Sequence, residues 1–403
     1  MVQSHTCHPI SRRSARMLKI LINLAKKSVC VGLVNLGPIL LLLPLVTFPE
    51  NSRAAEGASD PHTVLTEVGK IVSDHGLDQA AAVEIGGIRQ WITVRGRDRR
   101  NPLLLVLHGG PAAPDIPNRF LFEGPWTDFF TVVEWDQRGA GKTYELNDPA
   151  RIAPTMHAAR MVQDTEELVA YLRKTYNVPK IFVLGHSWGT ILGLQLAERH
   201  PDWLYAYIGV GQIINMREGE SIDYQFDLDQ AHNKSDAVAL KELQAIEPYP
   251  ERDGSLPIKK LSVVRKWSVR FGGLTHGRQS YDFWADAQEI SPDYDATDIK
   301  ALDAGSAFSV PKLLPEIATT DFTSINQLKC PIIIFSGRYD YTTPSEPVLR
   351  WFERLNAPVK SFSWFENSAH MLYAEEPGRV LMHLVDDALP LAASQGKATL
   401  KGH

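Results

Sequence analysis

Residues 185–189 read Gly-His-Ser-Trp-Gly, a serine held between two glycines. The apolar run "KIFVLG" leads into them and an apolar series at helical spacing follows, so the segment reads as a strand turning sharply into a helix. Glycines on both flanks suit such a turn, because a strained backbone leaves no room there for a Cβ. Ser187 then stands at the tip with its hydroxyl free. The Trp188 N–H opens the helix, where the dipole favours a developing negative charge. The chemistry this supports is nucleophilic attack on a carbonyl carbon. The competing reading, Ser187 as a simple helix cap, asks nothing else of the chain. What separates the two is whether a base, an orienting acid and a second oxyanion donor are present.

A serine hydroxyl is a weak nucleophile until a base takes its proton. In a strand-turn-helix arrangement of this kind the partners follow in the order serine, acid, histidine. "IIIFSGRYDYTTP" ends an apolar run and sets Asp340 in the loop beyond it; "SFSWFENSAHMLY" does the same for His370. Both loops belong at the carboxyl edge of a parallel sheet, the edge on which sites of open α/β sheets form. His186 is inside the turn and His200 ends the following helix, so neither competes as the base. "LLLVLHGGPAAP" supplies the last part, since its glycines allow close approach to the nucleophile. Pro111 has no N–H, so Gly110 is expected to provide the second oxyanion donor beside Trp188, each such donor being worth about 3 kcal/mol in the transition state. His108 is expected to be structural. In "WDQRGAGKT" (135–143), Asp136 and Arg138 are expected to brace loops by an ion pair. No phosphate loop is expected, because G-x-x-x-x-G-K is absent and no helix is foreseen directly after it.

The elements needed to position these residues are legible. "PLLLVLH", "TVVEWD", "KIFVLG", "LYAYIGVG", "PIIIFSG" and "VKSFSWF" are apolar runs of strand length. "AAVEI" and "IRQWITVRG" flank Gly86-Gly87 as a hairpin. A helical face over Met161, Leu168, Val169 and Leu172 lies between two of the strands. Strands alternating with helices predict an α/β fold, a mostly parallel sheet covered by helices on both faces. From 212 to 328 the rhythm stops and amphipathic, aromatic-rich segments take over, which predicts a helical cap inserted in the domain. The expected organisation is an N-terminal segment with linker over 1–55, core over 56–211, cap over 212–328, core again over 329–392 and a polar tail over 393–403.

The 403 residues are 44% hydrophobic and 22% charged, as in ordinary globular proteins. Charge is uneven: the first 30 residues hold six Lys or Arg and no acid, so with a net charge of −5 the remainder carries −11. An acidic body of this sort excludes nucleic acid as the expected partner. The basic head precedes an apolar run over 29–48 and a small, polar stretch, the order of a secretory signal, or of a membrane anchor if it is retained. Export to a periplasmic or extracellular location is the expectation. Cys7 and Cys30 fall in that head and Cys330 stands alone in the body, which excludes a disulfide framework and a cysteine zinc site there.

HGGP, WDQRGAGKT, GHSWGT, GRYD and the late histidine, in this order, resemble the α/β-hydrolase superfamily. Within it they are most similar to the proline iminopeptidase (prolyl aminopeptidase) group of serine peptidases, over about 83–389. The resemblance implies an α/β-hydrolase fold with Ser187 as nucleophile, Asp340 as acid, His370 as base, and Gly110 and Trp188 as oxyanion donors. It implies release of an N-terminal residue from short peptides without metal or cofactor, and cap carboxylates that hold the substrate's amine. Glu218 and Glu220 are the candidates for these, with Asp223 nearby. Ala112 stands where the family has a glycine. A carboxylesterase acting on small or apolar acyl groups is the nearest alternative, and a non-catalytic exported binding protein on the same fold the second. Haloalkane and epoxide chemistry are disfavoured because those relatives use a carboxylate where this chain has Ser187.

Overall fold

The computed structural model describes residues 60–396, so the basic, apolar head and its expected export role lie outside the described residues. Eight strands follow in chain order: β1 (Leu77–Ile85), β2 (Ile88–Gly96), β3 (Leu103–Leu107), β4 (Thr131–Asp136), β5 (Ile181–His186), β6 (Leu204–Val210), β7 (Ile332–Gly337) and β8 (Lys360–Phe365). They form one sheet in the order β1-β2-β4-β3-β5-β6-β7-β8. β2 runs antiparallel to both its neighbours, and every pair from β4 to β8 is parallel. The Gly86-Gly87 hairpin forms as expected, both residues at positive φ (60° and 72°).

The continuous apolar runs of β3, β4, β5 and β7 become strands buried on both faces, while β8 closes the sheet half-exposed. Along β3, Leu103, Leu105 and Leu107 face one side and Leu104 and Val106 the other, the two-residue alternation of a strand. The first face packs on helix α1 (Ala158–Thr175), through Met161, Leu168 and Leu172, and on α2 (Trp188–Arg199), through Ile191 and Leu194. The second face packs on Phe122 and Trp126 and on Val380 and Leu384 near the C-terminus.

Between β6 and β7 the chain leaves the sheet as α3 (Met216–Asn233), α4 (Ala237–Gln244), α5 (Ile258–Phe271), α6 (Asp282–Gln288) and α7 (Ala296–Ile317). Tyr224, Ala231, Leu243, Val264 and Trp267 form a core within this cap, separate from those of the sheet. Cys330 is a buried free thiol. No helix among the described residues is long and apolar enough to cross a membrane.

Candidate active site

β5 ends at His186 and α2 begins at Trp188; between them Ser187 adopts φ 53°, ψ −119°. A non-glycine residue at positive φ is strained and persists only where its surroundings hold it. Here the Ser187 N–H donates to the Val210 carbonyl of β6 at 3.0 Å, and the Ser187 carbonyl accepts from the Thr190 N–H at 2.8 Å. The flanking glycines are sterically required. A Cβ on Gly185 would lie 2.6 Å from the Gly189 carbonyl oxygen, and one on Gly189 would collide with the carbonyl of Leu107.

Asp340 and His370 follow the ends of β7 and β8 and meet there. His370 Nδ1 lies 2.9 Å from Asp340 Oδ2. Thr343 completes the arrangement: its N–H donates to Asp340 Oδ1 at 2.8 Å and its hydroxyl to Oδ2 at 2.9 Å. A carboxylate that accepts two Thr343 bonds takes the Nδ1 proton as a third, which leaves the lone pair of the imidazole on Nε2, where a base needs it. His370 packs over the strand end that carries Ser187. A Cβ on Gly211 would lie 2.9 Å from its Cε1, and Gly211 follows the carbonyl that receives the Ser187 N–H. Ser187, Asp340 and His370 are 9%, 4% and 3% exposed, so the three groups are shielded from bulk water.

The HGGP loop passes beside Ser187: a Cβ on Gly109 would sit 3.2 Å from Ser187 Cβ. Among the described residues, neither the Gly110 nor the Trp188 amide donates to another group. The loop has left-handed backbone at Gly110 (φ 108°) and also at Ala112 (φ 62°), a conformation that costs an alanine more than a glycine. His108 is structural as expected: fully buried, with Nδ1 2.8 Å from the Gly109 carbonyl and Nε2 accepting the Gln137 N–H at 3.2 Å. Burial lowers its imidazole to about 4.

Other expectations are corrected. Asp136 and Arg138 do not pair with each other. Arg138 pairs with Asp164 of α1 at 2.7 Å, both fully buried, and donates to the Gly86 carbonyl. Asp136 accepts from Tyr294 and from the Lys142 N–H. A short helix, Gly141–Glu145, begins inside the glycine-rich loop. Of the cap carboxylates, Glu218 faces outward, half-exposed and paired with Arg350, which takes it away from the site. Its position in the first turn of α3 explains it instead as a residue that suits the helix dipole.

Glu220 is buried on the opposite side of α3, where it pairs with Arg265 of α5 and accepts from the Tyr249 hydroxyl at 2.5 Å. Asp223 joins the same guanidinium at 2.5 Å, and Asp227, one turn on, is also fully buried. Asp227 and Arg265 were not singled out in the sequence, because in a helical, charge-rich stretch nothing marks which face turns inward. Burial raises Asp223 to about 7, opposed by Arg265. It raises Asp227 to about 10, with the Asp223 charge adding to the effect.

The loop after α5 joins this cluster to the sheet edge. The Gly273 carbonyl accepts the Tyr341 N–H at 3.1 Å, and the Leu274 carbonyl accepts the His370 N–H at 3.0 Å. Glu220 and Thr343 both line one narrow crevice of about 20 Å³. No group of three or more His, Cys, Asp or Glu suited to a metal ion occurs among the described residues.

Comparison with known proteins agrees with this architecture. The family model described as alpha/beta hydrolase fold matches residues 102–377. A probable aminopeptidase of Bacillus subtilis, YbaC, is 31% identical over 73% of this chain and 91% of its own length. A proline iminopeptidase of Heyndrickxia coagulans is 24% identical over 70% of this chain and 89% of its own. Among solved structures, the proline iminopeptidase of Mycobacterium smegmatis superposes with a TM-score of 0.56 at 15% identity, over 79% of this chain and all of that one. The sheet order, the strained strand-to-helix turn and these matches together make the chain a hydrolase belonging to the α/β-hydrolase fold family.

Proposed function

We propose that this hydrolase works by acyl transfer through Ser187, His370 and Asp340 and releases N-terminal residues from short peptides. His370 Nε2 removes the Ser187 proton as Oγ attacks the carbonyl carbon, while Asp340 fixes the imidazole and offsets the charge it gains. The Gly110 and Trp188 amides receive the oxyanion. The amine leaves with the proton from His370. Water, deprotonated by the same imidazole, then releases the acyl group from Ser187.

One observation carries the peptidase form of this reading. Two fully buried cap carboxylates, Glu220 and Asp223, share the Arg265 guanidinium, and the Gly273 and Leu274 carbonyls of the loop after α5 bond this cap directly to the Asp340 and His370 loops. Fixed carboxylates of this kind suit the ammonium of a peptide's N-terminus. They offer nothing to a neutral ester, whose acyl group would be held by apolar contacts alone. The relatives named aminopeptidase and proline iminopeptidase support the same choice.

The test is an assay of purified protein on aminoacyl 4-nitroanilides, proline and alanine first, beside short-chain 4-nitrophenyl esters, with fluorophosphonate labelling in parallel. The expected result is turnover of aminoacyl substrates and labelling that Ser187→Ala abolishes. Turnover of esters alone would remove the peptidase form and leave the nucleophile. Absence of labelling in folded protein would leave a binding protein.

A further inference from the structure

His186 has a defined hydrogen-bonding task that the acyl-transfer reading leaves unused. Its Nε2 lies 3.1 Å from the backbone carbonyl of His370, and the two imidazole rings are 4.7 Å apart. On the other side, its Nδ1 lies 2.9 Å from the Tyr373 hydroxyl, which in turn is 3.1 Å from Asp115 Oδ1. All four residues are buried. The chain thus runs from Asp115 through Tyr373 and His186 to the main chain of the expected base, and His186 is covalently next to the expected nucleophile.

Donor counting orders the protons along it. A carbonyl oxygen only accepts, so His186 Nε2 carries a proton. A neutral imidazole then has a lone pair at Nδ1, which takes the Tyr373 proton. Tyr373 has no second proton for Asp115, so Asp115 must supply one to the phenol oxygen. The other assignment, an imidazolium at His186 facing an ionised Asp115, would put a buried cation against the ring of His370. That ring itself becomes cationic during acyl transfer. Burial and the neighbouring His370 and His108 keep His186 in its neutral form. Burial, with Glu123 adding to it, raises the Asp115 carboxyl to about 7. The groups acting on that pocket are Tyr373, Glu123 and Glu134 beside Asp115, and Arg119, which pairs with Glu123.

We infer that His186 is a positioning residue: through Tyr373 and a protonated Asp115 it pins the His370 carbonyl, and so holds the base in register with Ser187. This rests on the acyl-transfer reading and adds a pH limit to it. When Asp115 loses its proton, Tyr373 turns to the new carboxylate, His186 loses its donor and the His370 loop loosens.

The test is the rate of Ser187 labelling by a fluorophosphonate probe between pH 6 and 9, in the parent, Tyr373→Phe and Asp115→Asn, with folding of each verified by circular dichroism. The probe reads base-assisted attack directly and does not depend on the natural substrate. The parent rate is expected to fall on the alkaline side. Asp115→Asn should lose that alkaline fall, because the amide N–H donates to Tyr373 at every pH. Tyr373→Phe should label about tenfold more slowly throughout, the usual scale for one lost buried hydrogen bond. Asp115→Asn labelling as slowly as Tyr373→Phe would show that the ionised carboxylate is the working form and overturn the proton assignment. Tyr373→Phe with the parent's rate and pH profile would overturn the positioning role. A parent that does not label removes the acyl-transfer reading itself and the inference with it, a result distinct from both.

Discussion

The sheet edge and the cap each gather buried polar groups, but they are built on different terms. At the sheet edge the Asp340 carboxylate has three donors, two from Thr343 and one from His370, and His370 has one defined tautomer. Its residues stand at the ends of parallel strands, Ser187 and Asp340 after interior strands and His370 after the edge strand β8. In the cap, Glu220 and Asp223 share the single guanidinium of Arg265 while Asp227 lies buried beside them, on helices that pack around a small core of their own. A satisfied polar network holds one geometry. A carboxylate cluster short of positive charge is poised to take up a cation or a proton. On the acyl-transfer reading proposed above, the difference assigns bond chemistry to the sheet edge and recognition of a charged group to the cap.

Three substitutions would sharpen or break that contrast. The largest effect is expected from Asp340→Asn. It should lower kcat by about 10⁴-fold, because the amide cannot hold the Nδ1 proton and leaves the imidazole in the wrong tautomer. The denaturation midpoint should stay close to the parent's, and both ester and aminoacyl substrates should suffer alike. Next is Arg265→Met, which leaves Glu220 and Asp223 buried without their cation and is expected to destabilise by about 3–5 kcal/mol in chemical denaturation. Adding Glu220→Gln and Asp223→Asn should recover most of that stability. If Arg265→Met alone is neutral, the cluster is not a charge-balanced unit.

The smallest effect concerns pH. The folded-state pKa of Asp227 is raised by burial to about 10, so its contribution to stability is fully present below the ordinary carboxylate pKa near 4 and is lost as pH rises through 10. The parent should therefore weaken between pH 7 and 10. Asp227→Asn should flatten that slope and raise KM for aminoacyl substrates while leaving ester KM unchanged. A slope identical to the parent's would place the titrating group elsewhere.

The legible part of the site was the part encoded locally. Gly185, Ser187 and Gly189 announce a strained turn, because a Cβ at either flanking glycine would strike the backbone. Asp340 follows an apolar strand buried inside the sheet, and His370 follows the next strand, which closes the sheet's edge. The substitution of Ala112 for glycine was legible as a departure, and its backbone adopts a left-handed conformation that glycine would hold with less strain. Thr343 had a faint signal, a hydroxyl three residues after an aspartate in a turn-like "DYTT". Arg138 was read as bracing a loop but with the wrong partner, since Asp164 is 26 positions further on and reaches it only when α1 docks on the sheet.

Apolar runs and their spacing were enough to determine the α/β layering, the buried central strands, the sheet-edge position of Ser187, Asp340 and His370 and the helical insertion. These follow from backbone period and steric demand, which each segment carries within itself. Tertiary packing alone decided which face of α3 turns inward, so that Glu220, Asp223 and Asp227 are buried while Glu218 stays outside with Arg350. It also decided that the rings of His186 and Tyr373 join Asp115 to the His370 main chain. Contacts of that kind link residues up to 258 positions apart. They depend on where whole helices and loops come to rest, a choice made by the summed burial of many side chains rather than by any one of them.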